Sequence, residues 1–81
     1  MKPSLNSYVW VYCLNSFTKV KVLAKGTEIF FHEGTLDSCK VEPFREPLKY
    51  DDYGKSWFKS LKEIRQKYKI KKVEEDYYEV E

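Results

Sequence analysis

Histidine is almost missing from this chain. His32 is the only one, and two cysteines, Cys13 and Cys39, are the only thiols. A lone imidazole cannot form a histidine pair. C-x2-C, H-x3-H and the acid spacing of a calcium loop are all absent. By strand alternation His32 shares a face with Phe30, which reads as a half-buried structural residue rather than a general base. Cys13 or Cys39 could pair with His32 as nucleophile and base, but neither is followed by a helix N-terminus or a glycine-rich loop. Glycine is equally scarce. Gly26, Gly34 and Gly54 all read as turn residues, so no phosphate-cradling motif is present. The expectation is a protein that is not an enzyme, with no catalytic, metal-binding or cofactor-binding residues. Long apolar runs are lacking too. No stretch approaches a membrane span, and MKPSLNSYVW holds no apolar signal core. This predicts a cytoplasmic protein without membrane contact, its two thiols reduced. A Cys13–Cys39 bridge would require the strands carrying them to be neighbours.

What the chain has in quantity is aromatic rings and segregated charge. Its 81 residues make one domain, 1–81, and 17% of them are aromatic. A chain this short hides only roughly 60% of its unfolded surface, and each aromatic buries about 150–250 Å². The rings therefore either strengthen a small core or form a binding surface. The net charge of +2 conceals three blocks. Residues 1–54 carry seven Lys/Arg and seven Asp/Glu, residues 55–72 carry eight Lys/Arg against Glu63 alone, and residues 73–81 carry five acids and no base.

Alternation marks residues 7–14, SYVWVYCL, as a strand with Tyr8, Trp10 and Tyr12 on one face and Val9, Val11 and Cys13 on the other. Both faces are apolar, which predicts a central strand covered on both sides. Asn15-Ser16 offers a turn. Residues 18–24 and 27–33 read as a hairpin across Lys25-Gly26, and residues 35–41 as a short fourth strand or edge segment. Together these make a β-sheet region, 1–42. Pro43 and Pro47 disfavour helix and interior strand in a loop at 43–54.

Within 55–69, KSWFKSLKEIRQKYK, the apolar residues Trp57, Leu61, Ile64 and Tyr68 recur at i, i+4, i+7 and i+11, the spacing of one helical face. Asp52 or Ser56 would cap such a helix. The acidic C-terminal segment, 70–81, reads as a tail against the sheet or as a further strand that includes residues 77–80. The predicted fold is α+β: a small antiparallel sheet of three to four strands packed against one amphipathic helix. That helix would lie on either the Tyr8/Trp10/Tyr12 row or the Val9/Val11 row.

A helix over 55–69 would set Lys55, Lys59, Lys62, Gln66 and Lys69 in a narrow arc, with Arg65 and Phe58 at its edge. An amphipathic helix needs some polar face, and lysine is a common way to make one. Eight bases against one acid in eighteen residues exceeds that need. These seven residues are the candidate partner-binding surface. They would serve an acidic protein groove, or a nucleic acid with Phe58 as a stacking platform. The acidic tail could fold back and screen them.

The hairpin segment 20–39, containing KVLAKGTEIFFHEGTLDSC, resembles the strand–turn–strand of small uncharacterised proteins from low-GC Gram-positive bacteria and their phages. In those, a hairpin ends in a phenylalanine–acid–glycine step, carried here by Phe31, Glu33 and Gly34 with His32 interrupting. The resemblance covers about a quarter of the chain and implies a phage or mobile-element setting. Proteins of that size and setting often bind a host enzyme or a defence complex, as anti-CRISPR proteins do. The function expected first is a non-enzymatic protein-binding module, an inhibitor of a host or defence protein. A nucleic-acid binder using the basic helix comes second, and a component that self-associates through sheet edges third.

Overall fold

The structure of the chain is a computed structural model, and it describes residues 2–32 and 47–81. Among the described residues lie seven strands and one short α-helix. The strands are β1 (Tyr8–Cys13), β2 (Ser16–Lys25), β3 (Ile29–His32), β4 (Leu48–Lys49), β5 (Trp57–Phe58), β6 (Ile70–Glu74) and β7 (Tyr77–Val80), and the helix is α1 (Leu61–Arg65).

The hairpin of β1 and β2 is the frame. Its turn is Leu14-Asn15, one residue earlier than the expected Asn15-Ser16. Both turn residues have positive φ, 50° and 59°, the backbone that lets a two-residue turn follow strand twist. Side chains reinforce it: Ser16 Oγ donates to the Cys13 carbonyl at 2.6 Å, and the Tyr12 hydroxyl donates to Asn15 Oδ1 at 2.8 Å. β1 runs along one side of β2. The other side of β2 is divided between two partners. Residues Ser16–Thr18 pair with β7, and Val22–Lys25 pair with β3 across a bulge. β4 extends β3, β5 covers the free edge of β1, and β6 extends β7, giving one curled sheet whose described strand pairs are all antiparallel.

Because paired residues share a face, the hairpin has two apolar sides and a separate core on each. Val9, Val11, Val20 and Val22 pack with Phe30, Tyr50 and Trp57. Trp10 and Phe17 pack on the opposite side with Phe58, Ile64 and Tyr78. Each core has an edge-on aromatic pair of its own: Phe30 meets Trp57 at 5.0 Å in the first, and Phe17 meets Phe58 at 5.6 Å in the second.

The predicted α+β fold is not what forms. The reason lies at residues 53–60. Gly54 turns the chain at φ +86° and donates to the Trp57 carbonyl at 2.8 Å. Trp57 and Phe58 then pair with Val11 and Trp10 as a strand. Alternation sends Trp57 into the first core and Phe58 into the second. A helix through 55–69 would leave the edge of β1 unpaired and both rings on the wrong sides. Ser60, with extended backbone, caps α1 by accepting from the Glu63 amide, so neither Asp52 nor Ser56 is the cap. The helix closes at Gln66, and residues 70–80 form the β6–β7 hairpin, so of the two expected alternatives the further strand at 77–80 forms and the tail does not. The 43–54 loop holds, in its described part, β4 and a 3-10 turn at Tyr50–Asp52. The expected fourth strand at 35–41 lies outside the described residues.

Two stability predictions follow from this packing. Trp57→Ala should cost about 3–5 kcal/mol and Ile64→Ala about 2–5, because each is wholly buried in a different core. Leu61→Ala, only partly buried, should cost less. Denaturant melts of the three variants check the order. Leu14 is 70% exposed and sits in the left-handed region, where a residue other than Gly or Asn is strained by about 1–2 kcal/mol. Leu14→Asn should therefore raise stability by about 1 kcal/mol, which is roughly 4–8 °C in Tm for a domain of this size.

Candidate binding surface

The seven residues expected to form a basic helical stripe do not share one helix. Lys55 lies in the turn before β5, and Lys59 links β5 to α1. Only Lys62 and Arg65 are on the helix, with Gln66 closing it and Lys69 just before β6. Phe58 is buried between Phe17 and α1, so it offers no ring face to a base. Among the described residues there is no basic amphipathic helix. Some cations of this region have structural work instead. The Arg65 guanidinium stands over the Tyr78 ring at 5.8 Å. Lys67 Nζ donates to the Gly54 carbonyl at 2.8 Å and faces the Phe58 ring at 5.8 Å. The acidic segment meets the basic one in register, Lys71 opposite Glu79.

A polar node fixes the crossing from β5 to α1. Glu63 Oε1 accepts from the Lys59 amide at 3.0 Å, while the Glu63 amide donates to Ser60 Oγ at 3.4 Å. This is a capping box shifted by one residue. The Tyr53 hydroxyl donates to Glu63 Oε2. That bond, with some desolvation and the neighbouring carboxylate charge, pushes the Tyr53 phenol up to about 12. The same bond, helped by the Lys59 and Ser60 backbone, holds the Glu63 carboxyl below its ordinary range against the opposing effect of burial. The Ser60-x-x-Glu63 signature was written in the sequence, and it marks where the helix starts.

The second face of the β1–β2 hairpin is covered along only part of its length. Near the Leu14-Asn15 turn, α1 and β6–β7 close it. Toward the other end, Tyr8 is 52% exposed, Leu23 40% and Phe31 39%. Tyr8 is paired with Lys21, and Lys19 Nζ lies 4.9 Å from the centre of the Tyr8 ring. Leu23 follows buried Val22, and Phe31 stands between buried Phe30 and His32, so both point away from the first core. The row of Tyr8, Trp10 and Tyr12 is therefore split: Trp10 is buried, Tyr12 is half-buried against Phe17 and Tyr68, and Tyr8 is open. This surface was missed because charge was averaged over residues 1–54. Residues 1–27 contain Lys2, Lys19, Lys21 and Lys25 and no acid, the first being Glu28.

His32 is buried beside Val22. Cys13 is disulfide-bonded, which corrects the expectation of reduced thiols. The chain has one other cysteine, Cys39, which lies outside the described residues. Among the described residues no helix is long and apolar enough to cross a membrane. Compared with known proteins, the chain matches no family model, no curated protein and no solved structure.

The node between Tyr53 and Glu63 predicts a pH signature. A carboxyl whose folded pKa is depressed stabilises the fold above its ordinary value of 4.5, and that stability is lost as pH falls through the folded value. A phenol raised from 10.0 to about 12 stabilises below 10.0, and that stability is lost as pH rises toward 12. Tyr53→Phe should cost roughly 1.5 kcal/mol, the low end for a hydrogen bond to a charged group. The difference in Tm between wild type and variant should be widest between pH 4.5 and 10.0 and shrink on either side. A difference constant across that range would contradict the assignment.

Proposed function

We propose that the chain is a small non-enzymatic protein-binding module that uses the open half of the second sheet face as its contact surface. In the phage or mobile-element setting implied by its hairpin, it would act as an inhibitor of a host or defence protein. The supporting observation is the exposure of Tyr8, Leu23 and Phe31 together on one face. A chain this short has little apolar area to spare, and contiguous exposed apolar surface is characteristic of interaction sites. Aromatic residues also contribute disproportionately to protein interfaces. Self-association through sheet edges is less well supported. The described edge strand β6 carries exposed Lys71 and Lys72, the usual defence of an edge against pairing.

The immobilised chain should retain a protein from lysates of low-GC Gram-positive cells, and Tyr8→Ser with Phe31→Ser should abolish retention. The double variant should melt within a few degrees of wild type, since partly exposed positions contribute little to stability. Lys62→Glu with Arg65→Glu should leave retention intact. A partner held equally well by the Tyr8/Phe31 variant would overturn the assignment of the surface.

A further inference from the structure

Any partner that covers Tyr8 must also cover Lys21 and Lys19. Lys21 is directly opposite Tyr8 across the ladder, so their Cβ atoms are about 5 Å apart. Lys19 rests against the Tyr8 ring. A purely apolar partner would thus have to bury these ammonium groups without a counter-charge or push their stems off the face, and either lowers its affinity. The whole hairpin lacks an acid of its own to supply one, since residues 1–27 contain none.

From this we infer that the partner's contacting segment is acidic as well as apolar: a protein segment whose carboxylates pair with Lys19 and Lys21 while its apolar side chains pack on Tyr8, Leu23 and Phe31. The inference rests on the reading of this face as the contact surface and adds the chemistry of what it contacts. A second copy of the chain fits less well, because the hairpin that carries this face holds no acid to offer the lysines of its mate. A nucleic-acid strand fits less well than protein. Leu23 adds aliphatic area that base stacking does not need.

The test is a selection of random displayed peptides on the intact immobilised protein, followed by affinity measurements on the winners. Enriched peptides should combine Asp or Glu with Leu or aromatic residues and weaken as salt is raised. They should lose about tenfold or more in affinity against Lys19→Glu/Lys21→Glu, the scale of close charge pairs at interfaces. Tyr8→Ser/Phe31→Ser should abolish binding. Lys19→Gln/Lys21→Gln, which adds no repulsion, should show a smaller loss in the same direction, and circular dichroism and Tm should show all variants folded. Apolar peptides indifferent to the lysines but lost with Tyr8 and Phe31 would overturn the acidic-partner inference and leave the surface standing. Peptides indifferent to both pairs would overturn both. Failure to enrich any peptide, or tighter binding of single-stranded oligothymidylate that depends on Tyr8, would overturn the inference of an acidic protein segment.

Discussion

A two-stranded ribbon with large apolar side chains on both faces cannot be satisfied by a single packed layer. Isolated ribbons are marginal in water, and each face needs its own cover. The β1–β2 hairpin sets this requirement, and the rest of the described chain is arranged to meet it. β3, β4 and Trp57 close the valine face. Phe58, α1 and the β6–β7 hairpin close part of the aromatic face. Strand β5 has the unusual task of serving both. Two residues long, it pairs with the free edge of β1 and sends one ring to each core. The polar node at Tyr53, Glu63 and Ser60 holds the chain as it crosses from that edge to the helix.

The two-faced character of residues 8–13 was legible in plain alternation, because a period of two over six residues leaves no competing reading. The fold class was not. Trp57, Leu61, Ile64 and Tyr68 do have helical spacing, but Trp57 reaches its core from a strand and Ile64 from a helix. A two-residue strand is too short to write a period of its own. Its presence follows from the unpaired edge of β1, a non-local demand that no window of sequence contains. The start of the helix was legible at Ser60-x-x-Glu63, yet helical spacing counted from residue 55 sets the start six residues before Leu61. For the surface, lysine density between 55 and 72 was visible, but its usefulness depended on one continuous helix. The acid-free run before Glu28 was equally visible, and it acquires meaning only when pairing sets Lys21 beside Tyr8.

The open half-face follows from the lengths of the elements. Ten residues of β2 run about 33 Å. The five residues of α1 run about 8 Å, and β7 pairs with only the first three positions of β2. Cover that begins at the Leu14-Asn15 turn is therefore exhausted before it reaches Lys21 and Leu23. Lysines interleaved with the uncovered side chains keep such a face compatible with water, since their charges remain solvated while their stems lie along apolar neighbours. The same interleaving would make the proposed contact face selective. Apolar surface alone would accept any apolar partner, whereas Lys21 opposite Tyr8 and Lys19 at its ring would, on the proposed reading, disfavour a partner that brings no carboxylate. The short cover thus leaves Tyr8, Leu23 and Phe31 exposed, and on the proposed reading of this face the lysines beside them would also select what binds there.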